Sequence, residues 1–329
     1  MAKILVTGGA GYIGSFMVRH LAENGFEVVI ADNLSQGHRD AVIGYRLQVI
    51  DLVTEKEKLN LLFEKERFNG VVHMAGFIQM DESFKNPSKY FRNNITSAIN
   101  VLDSMVKYHV SNFIFSSSAG VYGNPESLPI KENDKKEPLN PYGETKYMIE
   151  KMLGWYDQAY GLKFMAIRYF NAAGAALDGS IGEDHPDESH LIPLVIKAGL
   201  KHEKFTIYGN DYKTNDGTCI RDYIHVLDLV ETHEIALRKL LGGSQSNYYN
   251  AGVGRGYSNK EVVEMVRKVT GLTINLEYGP RREGDADILY ASIDKIKKDL
   301  NWQPKYDLGK IIQSTYLWHK NNPSGYCRH

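Results

Sequence analysis

Short apolar runs alternate with amphipathic segments along the first half of the chain. The run at residues 4–6 is typical of a buried parallel strand, and it breaks at a cluster of glycines. From Tyr12 the apolar positions recur three and four residues apart, as on one face of a helix. Similar runs predict strands at 27–31, 47–51, 70–76 and 113–115. Helical stretches lie between and after these runs, at 55–67, 90–108 and 141–160. This alternation predicts an α/β fold with a doubly wound parallel sheet.

The pattern loosens after a further predicted strand at 163–168. Beyond Asn171 the chain contains glycine-rich and acidic loops. Helical patterns recur near 192–200, 227–241, 259–270 and 308–319. We therefore expect a first domain over 1–170, rejoined by about 220–252, and a smaller, interleaved C-terminal α/β domain over 171–329.

The glycine cluster after the first strand has the arrangement that sets a helix N-terminus against a pyrophosphate. Gly8 and Gly9 permit a tight turn, Gly11 lets backbone N–H groups approach the phosphates, and Gly14 lets helix and strand pack closely. Glycine clusters also make ordinary turns, so the spacing alone is weak evidence for a dinucleotide site.

An acidic residue strengthens the case for a dinucleotide. Asp32 ends the second predicted strand, 18 residues beyond Gly14, where a carboxylate can accept hydrogen bonds from both ribose hydroxyls of adenosine. The same charge would repel a 2′-phosphate, so NAD is expected rather than NADP. Asp51 ends the third predicted strand, within reach of an adenine edge. Ala75–Gly76 and Ser116–Ser118 fall at the carboxyl ends of other strands, where ligands bind in such sheets.

Composition excludes several other classes of protein. Hydrophobic content of 43% and charged content of 24% are ordinary for a globular chain of 329 residues. A net charge of −1 offers no global attraction to nucleic acid or an anionic membrane, and no apolar run approaches a bilayer span. Cys219 and Cys327 lie far apart without a motif spacing, which favours a cytoplasmic protein.

Three residues predict proton-transfer chemistry beside the dinucleotide. Tyr142 and Lys146 lie four apart at the start of a predicted helix, hence on one face. A phenol with a reference pKa near 10 is too weak a base at neutral pH, but a nearby ammonium and a positive nicotinamide would favour the phenolate. Ser118 can hydrogen-bond the substrate oxygen and relay the proton. A Tyr and a Lys at this spacing are more often an exposed pair on the protein surface. The presence of Ser118 at the end of a neighbouring strand favours a catalytic role instead.

These residues resemble the extended short-chain dehydrogenase/reductases, and within them the UDP-galactose (UDP-glucose) 4-epimerases. The resemblance covers nearly the whole chain. Its superfamily part is carried by residues 6–15, Asp32-Asn33-Leu34, 113–118, and Pro141-Tyr142-Gly143 with Lys146. Its more specific part is carried by Arg168-Tyr169-Phe170-Asn171, 208–212, 221–226 and 281–285.

The resemblance implies a set of contacts for each ligand. For the cofactor, the implied residues are Gly8, Gly11, Tyr12, Ile13, Gly14, Asp32, Asn33, Asp51, Leu52, Ala75, Gly76, Asn93, Ser116, Tyr142, Lys146 and Tyr169. For the substrate, they are Ser118, Tyr142, Asn171, His190, Leu191, Thr206, Tyr208, Arg221, Arg282, Asp285 and Leu289. The guanidinium groups of Arg221 and Arg282 suit the doubly charged pyrophosphate of a UDP-sugar. Taken by themselves, the two arginines could equally be exposed surface charges.

Two positions depart from the family pattern. His190 stands where many members have Asn, so a substrate contact there is uncertain. Ile78 stands where some members have a Lys near the nicotinamide ribose. Because isoleucine cannot make the contact of that Lys, we expect weaker retention of the cofactor.

The resemblance implies an NAD-dependent 4-epimerase of UDP-glucose and UDP-galactose, a homodimer paired through about Tyr90–Tyr108 and Tyr142–Tyr160. It also implies an NAD-binding domain over 1–170 and a UDP-sugar-binding domain over 171–329. Epimerisation of UDP-N-acetylhexosamines or other UDP-sugars remains open, as does a non-catalytic NAD-sensing regulator. A 4,6-dehydratase is disfavoured because only Ala119-Gly120 separates Ser118 from Val121, without the acid and base that dehydration needs.

An acidic loop offers the remaining candidate chemistry. It carries Glu183, Asp184, His185, Asp187 and His190. Because the loop lacks a recognised ligand spacing, we expect it to be solvated and the protein to bind no metal.

Overall fold

A computed structural model describes residues 1–282 and 286–326 of the chain. The strands are β1 Lys3–Thr7, β2 Glu27–Asp32, β3 Arg46–Val49, β4 Gly70–His73, β5 Asn112–Ser118, β6 Lys163–Tyr169, β7 Asn171–Ala173, β8 Lys204–Tyr208, β9 Ile220–Arg221, β10 Tyr223–His225, β11 Asn247–Ala251, β12 Tyr257–Ser258, β13 Asn275–Gly279 and β14 Ile288–Leu289. The helices are α1 Tyr12–Glu23, α2 Lys56–Glu66, α3 Met80–Lys85, α4 Pro87–Tyr90, α5 Thr96–Lys107, α6 Pro141–Tyr160, α7 Leu191–Lys201, α8 Val226–Leu241, α9 Asn259–Thr270, α10 Asp294–Leu300 and α11 Leu308–Asn321.

The chain forms two compact units, and each of them is built from separate stretches of sequence. The first unit comprises Met1–Gly123, Lys136–Arg168 and Val230–Tyr249. The second comprises Asn124–Lys135, Tyr169–Leu229 and Asn250–His329. Within the described ranges, no helix is long and apolar enough to cross a bilayer.

A seven-stranded sheet in the order β11-β6-β5-β4-β1-β2-β3 organises the first unit, counting described residues only. Strands β1 to β5 pair in parallel, and β1 is the point from which the order runs outward in both directions. Central strands are apolar on both faces because helices cover both, and Ile4, Leu5 and Val6 are completely buried. The predicted α/β, doubly wound sheet is confirmed.

Helix α6 is held at both ends by its own sequence. Pro141 occupies its first turn, Asn140 Oδ1 accepts a hydrogen bond from the amide of Gly143, and Gly161 ends it in a left-handed conformation (φ 69°). Its bounds match the prediction from the sequence. The predicted helix over 90–108 is interrupted, because a π-helical turn at Phe91–Ile95 joins α4 to α5.

The second unit is built from small sheets and a helical core. Strand β7 pairs with β10 and β8 with β13, both in parallel, while β9 lies between β12 and β14. Helices α7, α9 and α11 contact one another over an apolar cluster that includes Val195, Val263 and Ile311. A capping box of Ser258 and Glu261 begins α9 at its predicted position.

Candidate functional site

The glycine turn after β1 is too crowded for larger residues, and the backbone itself is the obstacle at Gly8 and Gly14. Gly8 has a φ of 68°, and a Cβ there would lie 2.6 Å from the backbone nitrogen of Ala75. A Cβ on Gly14 would lie 2.0 Å from the carbonyl oxygen of Gly8. The second contact packs α1 closely on the turn after β1, as the glycine spacing predicts, and the first brings that turn to the end of β4.

Gly11 has a different environment from Gly8 and Gly14. A Cβ there would meet only the Gly8 carbonyl oxygen at 3.4 Å, an ordinary contact. Gly11 also begins α1 without a side-chain cap. The polypeptide therefore does not itself require glycine at this position, whereas a pyrophosphate approaching the helix N-terminus would. This observation fits the dinucleotide that the sequence predicts, with Tyr12 and Ile13 as the first helical residues.

Asp32 is positioned by two backbone amides at the end of β2. Its Oδ2 accepts a hydrogen bond from Ala10 N at 2.9 Å, and its Oδ1 accepts one from Leu34 N at 2.8 Å. Burial raises the pKa of the carboxyl, and the two amides only partly offset that effect. Since each carboxylate oxygen can accept a second hydrogen bond, the side chain retains capacity for two ribose hydroxyls.

The turn that follows β3 is organised by Asp51. Its Oδ1 accepts from the amides of Val53 and Thr54, and its Oδ2 accepts from Asn33 Nδ2 at 3.0 Å. Burial alone would raise the pKa of Asp51, but these hydrogen bonds outweigh it and lower the pKa. Asn33 and Asp51 are thus brought together beside the buried Leu52, and contact of Asp51 with adenine remains a prediction.

A residue that the sequence analysis missed orders the loop after β4. Asn94, in the π-helical turn, accepts from Phe77 N at 2.8 Å and donates to Phe77 O and Thr145 Oγ1, both at 3.1 Å. It also accepts from Asn93 Nδ2 at 3.0 Å. Asn94 therefore fixes the segment containing Ala75 and Gly76 against the start of α6. The π-helical turn itself is a signal of function that periodicity does not reveal.

Ser118 and Tyr142 border the same small space. A Cβ built on Gly120 would lie 3.3 Å from Ser118 Oγ and 3.9 Å from Cε1 of the Tyr142 ring. A Cβ on Gly143 would lie 2.6 Å from the Gly120 carbonyl oxygen, so two glycines permit this approach. The strand predicted at 113–115 extends in the structure through Ser118, so Ser116–Ser118 form the end of β5. Successive side chains of a strand point to opposite faces of the sheet, so the backbone of β5 fixes the direction of Ser118.

Lys146 is buried one helical turn after Tyr142. Its Nζ donates to the Ser116 carbonyl oxygen at 2.8 Å and lies 5.9 Å from the centroid of the Tyr142 ring. Burial lowers the pKa of Lys146 to about 8, and the nearby Glu150 carboxylate opposes that effect. Burial together with the Lys146 charge also lowers the pKa of His73 to about 3, so His73 is neutral at pH 7. The predicted Ser, Tyr and Lys residues are thus brought together.

A buried ion pair supports this arrangement. The Arg168 guanidinium forms two hydrogen bonds to the Glu150 carboxylate, at 2.8 and 2.7 Å, and donates to Tyr122 Oη at 2.8 Å. Ser117 Oγ donates to Glu150 Oε1 at 2.6 Å. Burial opposes the charge on Arg168, but Glu150 raises its pKa above the usual value. The pair joins α6, β5 and β6. Arg168 belongs to a motif that carries the family resemblance, and its contacts position α6 against β5 and β6.

In the second unit, Tyr208 and Arg282 are stacked. The Arg282 guanidinium lies 4.5 Å from the centroid of the Tyr208 ring, which stands at the end of β8 and is 40% exposed. Thr206, two residues earlier on β8, donates from its Oγ1 to Glu277 at 2.9 Å. Cation–π contact holds the guanidinium against one ring face.

Arg221 and Leu289 are paired in register on β9 and β14. The segment is organised by Asp222, which the sequence analysis did not single out. Asp222 is fully buried and accepts hydrogen bonds from the amides of Val253, Gly254 and Ala291 at 2.8, 3.1 and 3.2 Å. Burial raises the pKa of Asp222 to about 6, with these amides partly offsetting it. Its own carbonyl accepts from Asn171 N at 2.9 Å, which brings Asn171 to this segment.

Of the remaining predicted substrate residues, two lie at the start of α7 and one lies outside the described residues. His190 is the residue before the helix and Leu191 is its first residue. Tyr169, predicted to contact cofactor, is assigned to the second unit. Asp285 lies outside the described residues.

The expectation of a solvated loop at 183–190 is wrong for half of its titratable groups. Glu183 is 1% exposed at its side chain, and the side chains of His185 and Glu188 are 12% and 6% exposed. Trp318 covers the loop and donates from Nε1 to the Glu183 carbonyl oxygen at 3.2 Å. This burial depends on a helix distant in sequence, so loop composition did not reveal it.

Comparison with known proteins agrees with this geometry. The model of the NAD dependent epimerase/dehydratase family matches residues 4–252. UDP-glucose 4-epimerase of Lacticaseibacillus casei is 46% identical over 98% of each chain. A crystal structure of a UDP-glucose 4-epimerase superposes with a TM-score of 0.96 at 46% identity, covering 99% of this chain and 100% of the other. The Brucella ovis enzyme in complex with NAD gives 0.93 at 40% identity, covering 96% and 98%. The chain therefore belongs to the NAD dependent epimerase/dehydratase family, in which it is similar over its full length to the UDP-glucose 4-epimerases.

Proposed function

We propose that the protein interconverts UDP-glucose and UDP-galactose at C4 of the sugar, with NAD as cofactor. The observation that carries this proposal is the meeting of Ser118, Tyr142 and Lys146 at the carboxyl end of β5. The full-length similarity to UDP-glucose 4-epimerases supports it.

In this reaction Tyr142 would act as the base. Its phenolate would remove the proton from the sugar O4, and the buried ammonium of Lys146 favours that phenolate electrostatically. Ser118 would hydrogen-bond the same oxygen and relay the proton. Bound NAD would supply the acceptor for the C4 hydride in its oxidised form and the hydride donor in its reduced form. Gly11, Asp32 and the turn ordered by Asp51 would hold that cofactor.

The second unit would hold the nucleotide part of the substrate. Arg221 and Arg282 offer guanidinium forks to the diphosphate, and Tyr208 offers an aromatic face to uracil. Asn171, Leu191, His190 and Thr206 would complete the binding, with Asp285 on the uridine ribose. A firm hold on UDP with a looser hold on the sugar lets the 4-keto sugar present its other face before re-reduction.

Incubation with UDP-galactose, followed by chromatography of the nucleotide sugars, tests this function. We expect UDP-glucose to form until the two sugars reach equilibrium. Tyr142→Phe should lower turnover by several orders of magnitude while leaving UDP binding nearly intact, because it removes the base and spares the nucleotide contacts. A variant that kept a tenth of the activity would contradict the role of Tyr142.

The same assay separates the alternatives. A non-catalytic NAD-sensing regulator would leave UDP-galactose unchanged, and a 4,6-dehydratase would form a 4-keto-6-deoxy product. Use of UDP-N-acetylgalactosamine in parallel tests action on N-acetylated sugars. The described turn at Ala119–Val121 offers neither acid nor base for dehydration.

We further propose a cytoplasmic homodimer that pairs through the faces of α5 and α6. Trp155 and Tyr160 of α6 are 69% and 62% exposed, a large apolar area for a solvated helix. Light scattering after size exclusion should give twice the chain mass for the wild type and the chain mass for Trp155→Glu. Leu61→Glu on α2, where Leu61 is 63% exposed, is the control and should stay dimeric.

A further inference from the structure

Four side chains of the loop after Gly182 converge on one point. Glu183, His185, Glu188 and His190, here called the Glu–His cluster, each offer an atom that lies within 4.8 Å of the others. The Nδ1 atom of His190 lies 2.8 Å from Glu183 Oε1, and that of His185 lies 3.3 Å from the same oxygen. None of these four residues belongs to the proton-transfer set, and only His190 is among the proposed substrate contacts, so the convergence of all four needs its own explanation.

The contacts of Glu183 differ from those of a simple ion pair. Its side chain is 1% exposed, yet neither carboxylate oxygen has a hydrogen bond of acceptable geometry in the described structure. A protonated imidazole that neutralised this carboxylate would aim an N–H at it. Ring nitrogens that lie at 2.8 and 3.3 Å without that alignment are instead arranged like ligands around a shared centre.

The two carboxylate oxygens of Glu188 have different environments. Oε1 accepts from the amides of Ser189 and His190, both at 2.9 Å, and lies 3.0 Å from His190 Nδ1. Oε2 is buried, has no hydrogen-bond partner, and lies 3.5 Å from His185 Nδ1. A carboxylate with one oxygen fixed by the backbone presents the other in a defined direction, as ligating carboxylates do.

We propose that the Glu–His cluster binds one divalent transition-metal ion, with Zn²⁺ the best match. Tetrahedral zinc with bonds of about 2.0–2.2 Å separates its ligand atoms by about 3.4 Å. Glu183 Oε1 lies 2.8 Å from His190 Nδ1 and 3.3 Å from His185 Nδ1, and His185 Nδ1 lies 3.5 Å from Glu188 Oε2, all close to that separation. Imidazole nitrogens favour zinc over calcium or magnesium, and two carboxylates balance the charge of the ion. Four protein ligands leave no open position, so the site is structural rather than catalytic.

The surroundings indicate what the ion would stabilise. Trp318 of α11 covers the loop, and Asp184 accepts from Tyr326 N at 2.9 Å. At the other end of the loop, His190 directly precedes α7. The ion would therefore tie the entry of α7 to a loop already packed on α11.

The metal content of the untagged, full-length chain tests the proposal directly. After equilibration with excess ZnCl₂ and desalting, mass spectrometry of the metal should give about one zinc per chain. A chelator should lower the melting temperature of this protein. Wild-type protein that retains no zinc would overturn the proposal.

Matched variants locate the bound ion. His185→Gln and Glu188→Gln should each weaken zinc binding by at least about 100-fold and abolish the effect of chelator on melting. Asp187→Asn alters an exposed carboxylate in the same loop and should bind zinc as the wild type does. Retention of tight binding by either ligand variant would overturn the assignment.

X-ray absorption at the zinc edge provides a test that needs no variant. The wild-type spectrum should show nitrogen and oxygen neighbours at about 2.0–2.2 Å, with the multiple scattering of two imidazoles. A sulfur neighbour would assign the zinc to a cysteine and contradict the proposed site.

Discussion

Leu289 and Arg221 are direct register partners on the parallel strands β14 and β9. Residues paired in register project from the same face of a sheet, so the two side chains are neighbours. Arg221 is the residue proposed for the diphosphate. In the family that the sequence resembles, the position of Leu289, four beyond Asp285, lies beside the sugar and its bulk limits the group on C2.

Leu289→Tyr should narrow the range of substrates. We expect the wild type to turn over UDP-N-acetylgalactosamine with lower efficiency than UDP-galactose, since leucine is intermediate in volume and brings no hydroxyl. The added ring should suppress the first activity far more than the second, by about 1–3 kcal/mol in relative kcat/KM. Leu289→Met conserves volume and should leave the ratio unchanged. Equal losses on both substrates would identify Leu289 as ordinary packing.

Asp32 leads to a prediction about the cofactor that copurifies. A carboxylate at the end of β2 repels a 2′-phosphate, so denaturing the pure protein should release NAD rather than NADP. Enzymatic assay of the released nucleotide distinguishes the two. Recovery of NADP would contradict the argument from Asp32. An empty protein would direct attention to Ile78, and Ile78→Lys should then increase the fraction that retains NAD.

The first unit was largely predictable from the sequence because its signals are local. Its strands are short apolar runs buried on both faces, and its helices have a clear periodicity. The glycine spacing also fixed which residues meet at the end of β1. The strand predicted at 113–115 was too short, because the apolar run stops at Phe115 although the backbone of the three serines continues β5 to Ser118.

The second unit was less predictable because its contacts are distant in sequence. Strands β9 and β14 contain two residues each, and they exist only because their partners are brought alongside. Burial of Glu183 likewise depends on Trp318. Asp222 accepts hydrogen bonds from three amides in two later segments, and no local sequence pattern predicts these contacts.

The buried pair of Glu150 and Arg168 gives a prediction for stability. Glu150→Ala leaves a buried guanidinium without its counter-charge and should lower the free energy of unfolding by about 3–5 kcal/mol. Replacing both partners by Leu and Met should recover most of that loss, because the desolvated charge is removed. Glu23→Ala, which breaks an exposed pair with Arg19, should cost at most about 1 kcal/mol. Urea unfolding measures all three, and a small effect of Glu150→Ala would contradict the role assigned to the pair.

Burial of Lys146 makes the stability of the protein depend on pH. Its pKa is lowered from 10.5 to about 8 in the folded protein. Below about pH 8 both folded and unfolded states carry the proton, and the folded state bears the full cost of a buried charge. Between about pH 8 and 10.5 the folded state loses its proton first, so this cost declines and stability rises with pH.

Lys146→Met isolates this effect, because methionine has a similar volume and does not titrate. The unfolding free energy of the variant relative to wild type should therefore fall by about 2 kcal/mol between pH 7 and pH 9.5, as the wild type gains stability. Urea unfolding of the two apoproteins at both pH values gives this difference. Lys151→Met, an exposed position on the same helix, should show the same small difference at both. A Lys146→Met difference that does not change with pH would mean that the buried ammonium is as well solvated as a surface lysine, and its electrostatic support of the Tyr142 phenolate would lose its basis.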